Sequence, residues 1–104
     1  MVAWYTTETV AGKQISKHIG VATGSTIRAR NIGRDIVAGL RTLVGGEVPE
    51  YTEMMAHARN QAIERMLQKA DEMGADAVVG VRFSTAMIMQ GTAEVMAFGT
   101  AVKF

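Results

Sequence analysis

The sequence contains no cysteine. That absence excludes disulfides, thiolate zinc sites, iron–sulfur clusters and cysteine nucleophiles together. It also suits a reducing compartment. Aromatic residues make up only 6%, and no platform for stacking bases is visible among them. Neither sign of charge dominates: eleven basic and ten acidic residues leave a formal charge of +1. The chain therefore has no general attraction to nucleic acid or to an anionic membrane. No stretch approaches the roughly 20 apolar residues of a membrane span. The N-terminus, MVAWYTTETV, has no basic region and no apolar run long enough for export. These absences point to a cytoplasmic protein. What is present is a chain of 104 residues that is 48% apolar. That is one domain over residues 1–104 with enough apolar material for a core, though a chain of this size is only marginally stable alone.

Residues 2–7 (VAWYTT) are rich in β-branched and aromatic types and read as a strand broken by Gly12. Residues 14–23 (QISKHIGVAT) alternate and read as a second strand. Gly20 inside it signals a bulge or a close backbone approach. Gly24-Ser25 reads as a turn, followed by a short extended piece, TIRA. Asn31 is a good N-cap, and Ile32, Ile36, Leu40 and Leu43 mark one face of a helix of about 13 residues. Gly45-Gly46 ends it. Gly33 and Gly39 inside that helix each cost roughly 0.5–1 kcal/mol against alanine, which close packing on another backbone would offset.

Pro49 opens a second helix where a missing N–H costs nothing. Glu50 and Glu53 in its first turn complement the helix dipole. Tyr51, Met54, Met55, Ala58, Ala62, Met66, Ala70 and Met73 repeat at about 3.6 residues, and Gly74 closes the helix. At about 25 residues it would be about 37 Å long. Residues 76–89 and 92–104 then read as two strands around a Gln90-Gly91 hairpin turn. Strict alternation from that turn pairs Met89 with Thr92, Met87 with Glu94 and Thr85 with Met96. It predicts a bulky face (Val79, Val81, Phe83, Met87, Met89, Met96, Phe98, Val102). The opposite face is small (Val78, Gly80, Ser84, Ala86, Ala93, Val95, Ala97, Gly99, Ala101). A bulge would shift the register and blur this split. Neither face alternates apolar with polar, so both want cover. One long helix covers one face; the rest calls for another copy of the chain.

The stretches TGSTIRARNIGRDIVAGLRTLVGGEVPEYTEMM, ADAVVGVRF and the closing GTAV resemble the YbjQ-like family, whose label is a heavy-metal-binding domain. The resemblance covers essentially the whole chain, most specifically from Arg30 to Glu47. It implies an α+β fold, a small antiparallel or mixed sheet with one short and one long helix, in a dodecin-like subunit. It further implies assembly of five such subunits into a ring. It brings no activity and no ligand set.

Three groups of residues carry candidate chemistry. Soft metals prefer thiolate and thioether ligands. With no thiolate, Met87-x-Met89, with Met96 across the hairpin, is the best set, against the plain alternative that methionine fills irregular cores and interfaces. His18 and His57 have no partner at ligand spacing. Arg28, Arg30, Arg34 and Arg41 with the helix-capping Asn31 form a candidate anion site, but no phosphate-loop pattern accompanies them. The favoured reading has Arg34 and Arg41 paired with Asp35, Glu47 or Glu50, within or between subunits. Finally, Glu8, Asp35, Glu47 and Glu94 are possible acids, yet no His–acid–nucleophile arrangement can be assembled from local spacing. Glu94 is expected near the hairpin end, reaching water. The expectation is a ring-forming homo-oligomer that acts as a scaffold or small-ligand-binding module and leans away from catalysis. The alternatives are a soft-metal or anion binder, or an enzyme whose site is completed between subunits. No cofactor follows from the residues.

Overall fold

Alanines four residues apart decide where the long helix lies. The computed structural model describes residues 2–29 and 49–104. Within them α1 runs Pro49–Glu72, close to the span that its periodicity and its bounding Pro49 and Gly74 predict. Ala58, Ala62, Met66 and Ala70 form its inner stripe and are fully buried. A stripe of side chains this short lets the helix axis approach its support closely.

That support is a mixed four-stranded sheet in the order β1-β3-β4-β2. The strands are β1 (Ala3–Trp4), β2 (Lys17–Ala29), β3 (Ala77–Met89) and β4 (Thr92–Lys103). β1 pairs parallel to β3; β3 with β4 and β2 with β4 are antiparallel. The first strand is shorter than residues 2–7, although the extended chain continues to bond β3 through Tyr5 N to Val78 O and Gly80 N to Thr7 O.

Gly24-Ser25 is not a turn. β2 passes through it without a break, pairing Gly24 with Ala97 and Ser25 with Met96. Glycine stands there because α1 lies directly on the strand. A Cβ at residue 24 would be driven into Met66 N and Ala62 O and would sit 2.7 Å from Arg65 C. Arg65 then donates from Nη1 to Ser25 O at 2.6 Å, tying helix to strand. The bulge expected near Gly20 is present, as a register shift between His18 and Gly20.

The hairpin turns at Gln90-Gly91 and begins in the predicted register, Met89 opposite Thr92. It does not keep it. One shift falls between Met87 and Met89, so Met87 opposes Ala93, Thr85 opposes Val95 and Ser84 opposes Met96. A second falls between Val79 and Arg82, where Gly80 has φ +63°. That left-handed conformation is the one a glycine bulge uses. The predicted division into bulky and small faces is corrected accordingly. Val81, Phe83, Thr85 and Met87 stand on the helix side with Val95, Ala97 and Ala101, while Arg82, Ser84 and Ala86 stand on the open side with Glu94, Met96 and Phe98.

The main core lies between α1 and the sheet: Ala22, Ala58, Ala62, Met66, Ala70, Val78, Val81, Val95, Ala97 and Ala101, joined by Val2. The N-terminal segment then passes to the open side. There Val10 packs with Ala77, Val79 and Val102, flanked by Tyr5 and Ile15. One end of the open face is thus covered by the chain itself, which the sequence did not reveal. Beyond that end the face is mixed rather than wholly apolar. Thr23, Ser25, Arg82 and Ser84 interrupt it, yet Val21 and Ile27 remain 67% and 59% exposed on it. No helix among the described residues is long and apolar enough to cross a membrane. The predicted short helix, 31–45, lies outside the described residues.

The Gly24→Ala variant tests the contact beneath α1. A methyl group placed against helix backbone should cost about 1–3 kcal/mol, read as a lower urea midpoint at unchanged slope. An unchanged midpoint would mean that the helix is not seated where it is described.

Candidate functional site

Of the arginine and asparagine candidates, Arg28 is described; Arg30, Asn31, Arg34 and Arg41 lie outside the described residues, as do Asp35 and Glu47. Arg28 stands near the end of β2, opposite Ala93, on the side facing α1. Its Nη2 donates to Gln61 Oε1 at 2.9 Å, and the same oxygen accepts from Thr26 Oγ1 at 2.6 Å. Thr26 is itself buried, so Gln61 satisfies a hydroxyl and a guanidinium that the helix would otherwise cover unpaired. Arg28 Nε is buried and has no hydrogen-bond acceptor among the described residues. Arg28 therefore fastens strand to helix.

The methionines regroup. Met96 opposes Ser84 and Ser25 on the open side, whereas Met87, in the row of Ala93 and Arg28, faces α1. By register Met89 falls with Thr92, and it is 63% exposed. The three do not share one face, because the shift between Met87 and Met89 separates neighbours that strict alternation would keep together. Met87 instead shares a cleft with Met54 and Met55, from the second turn of α1. Together with Thr85, Gly91, Thr92 and Ala93 they line a cleft of about 240 Å³. Met87 is 80% exposed, so it adds little to any core of this chain.

A larger and more polar cleft, about 560 Å³, lies on the open side. It is lined by Glu8, Thr9, Ile15, His18, Val79, Gly80 and Thr100. The turn-rich N-terminal segment brings Glu8 over the sheet, and β2 brings His18 opposite Val102. Sequence spacing had left both without a partner. His57 is exposed on α1. No group of three or more His, Asp or Glu residues capable of holding a metal forms among the described residues. Glu94 is half-buried on the open face, opposite Ile27 and Ala86, and shares no surface with Met87.

These features define a small α+β domain: among the described residues, one helix lies across a mixed sheet, with clefts on both sides. A family model described as "Putative heavy-metal-binding" matches residues 2–104, and the chain belongs to that family, the YbjQ family. A UPF0145 protein of Methanosarcina acetivorans is 58% identical over 98 residues, covering 94% of this chain and 92% of that protein. Another from Psychromonas ingrahamii is 58% identical at 94% and 93% coverage. One from Thermus thermophilus is 54% identical at 94% and 86%. Among solved structures, a protein of unknown function from Pediococcus pentosaceus, assigned to the DUF74 family, superposes with a TM-score of 0.63. The superposition covers 99% of this chain and 97% of that one at 15% identity, a likeness of fold.

Removing the shared acceptor tests the Arg28 fastening. Gln61→Ala leaves a buried hydroxyl and a guanidinium without it, and should lower stability by about 1–3 kcal/mol in denaturant unfolding. A neutral result would show that water replaces Gln61 there.

Proposed function

We propose that the chain is a non-catalytic module that works as a self-assembled ring in the cytoplasm, binding a small ligand in clefts that assembly closes. The observation that carries this reading is the uncovered part of the open sheet face. Val21 and Ile27 project from β2 beside half-buried Met96 and Phe98 on β4. Burying such side chains recovers on the order of 1–2 kcal/mol apiece, and a second copy of the same chain supplies a matching surface at no cost in new sequence. The polar residues between them, Thr23, Ser25, Arg82 and Ser84, suit a subunit boundary, which is less uniformly apolar than a core. Five subunits is the number that the family resemblance implies. The lack of cysteine agrees with a reducing compartment.

The second reading, an enzyme completed between subunits, is favoured by one feature. Glu8 and His18 line the same cleft, an acid and a base of ordinary catalytic types. That cleft lies beside the exposed face, where a neighbour would close it. The two readings share the assembly and differ in whether anything turns over in the cleft.

Native mass spectrometry at micromolar concentration should show a discrete closed oligomer. The Val21→Glu, Ile27→Glu double variant should shift it to folded monomers with undiminished helical circular dichroism. A wild-type chain that runs as a monomer would overturn the assembly.

A further inference from the structure

We propose that Met54, Met55 and Met87 form a site for a soft monovalent cation of the Cu(I) or Ag(I) type. The inference goes beyond assembly and assigns the metal binding that the family's description names to particular residues of one cleft. Three thioethers line a single cavity of about 240 Å³, ample for one bare metal ion with its ligands. Two come from consecutive positions on α1 and one from the facing strand β3, so a bound ion would clamp the helix to the sheet near the hairpin end.

The remaining lining residues are Thr85, Gly91, Thr92 and Ala93. None is a carboxylate, an imidazole or a cation. Hard divalent ions are thereby disfavoured, since they need oxygen ligands and compensating negative charge. Neutral thioethers favour a soft ion of single charge, because they leave its charge uncompensated.

Packing alone does not account for Met87. It is 80% exposed, on a part of β3 that no strand covers on its outer side among the described residues. A flexible unbranched side chain loses conformational entropy when it is held, and here it gains little contact in return among the described residues. Met54 and Met55 are half-buried beside it, leaving the cleft open rather than filled. The nearest described cationic side chain in the same row is Arg28, opposite Ala93. It stands two strands over, roughly 10 Å at ordinary strand spacing. That distance attenuates its repulsion, but Arg28 is partly buried, so salt screens it only in part.

The test is a titration of the untagged, full-length protein with Ag(I) nitrate in chloride-free buffer, followed by native mass spectrometry. One Ag(I) per chain should be retained. The Met54→Leu, Met55→Leu, Met87→Leu triple variant preserves size and apolarity. It should weaken retention at least about tenfold, since leucine offers no soft donor. Should that variant fold poorly, exposed Met87→Leu alone should still weaken binding. The Met89→Leu, Met96→Leu double variant should bind as wild type. Absence of stoichiometric Ag(I), equal retention by the triple or Met87 variant, or loss instead in the Met89/Met96 or in a His18→Gln, His57→Gln variant would each overturn the site. The same spectra report subunit number, so a ring without Ag(I) sinks the metal site and leaves the assembly standing.

Discussion

The contact of α1 with the backbone of β2 at Gly24 is the constraint on which the rest of the molecule depends. A helix ordinarily rides on a sheet at a distance set by side chains on both surfaces. Here the helix contributes Ala58, Ala62 and Ala70, and the strand contributes no side chain at its centre. The two backbones approach so closely that even one methyl group has no room. Close approach compensates in dispersion contacts for what small side chains lack in buried area. It also decides the exposure of everything else. A helix seated over β2 and β4 leaves the far half of β3 without cover, and there Phe83, Thr85 and Met87 lie bare on the helix side.

The opposite face has a different history. Its lower end is covered by the chain's own N-terminal segment through Val10 and Ile15. Its upper part is left to Val21, Ile27, Met96 and Phe98 with polar residues between. A face that was apolar throughout would commit the subunit to irreversible burial or aggregation. Interruption by Thr23, Ser25, Arg82 and Ser84 keeps the separate chain wettable while leaving enough apolar surface for specific contact. In the proposed assembly, the mixed face makes a better boundary than the uniformly greasy one that strict alternation predicted.

Much of this architecture was legible in the residues. Ala58, Ala62, Met66 and Ala70 state the helix and its buried stripe; Pro49 and Gly74 state its ends; Gln90-Gly91 states the hairpin. What was hidden is what glycine does not disclose locally. Gly24-Ser25 has the composition of a turn, but its glycine answers to a helix some forty residues later in the chain. Gly80 looks like any strand interior residue, yet its left-handed backbone moves every following side chain to the other face. The pairing of Met87 with Met54 and Met55, and of Arg28 with Gln61, joins positions more than thirty residues apart, for which spacing holds no signal. Arg30, Asn31, Arg34 and Arg41 lie outside the described residues, so the arginine block is represented by Arg28 alone.

The two register shifts in β3 are where fold and chemistry meet. Without the shift at Gly80, Phe83 and Met87 would stand on the open face beside Phe98 and Met96, enlarging its exposed apolar surface. Without the shift between Met87 and Met89, the same strand could not turn at Gln90-Gly91 with Met89 opposite Thr92. Together they take Met87 out of the open face and set it on the helix side of the sheet, where it lines one cleft with Met54 and Met55, while Met89 and Met96 stay behind. A bulge costs ladder hydrogen bonds and is retained where it re-aims a side chain. In this sheet the side chain it re-aims is a thioether, and it lines one cleft with two more.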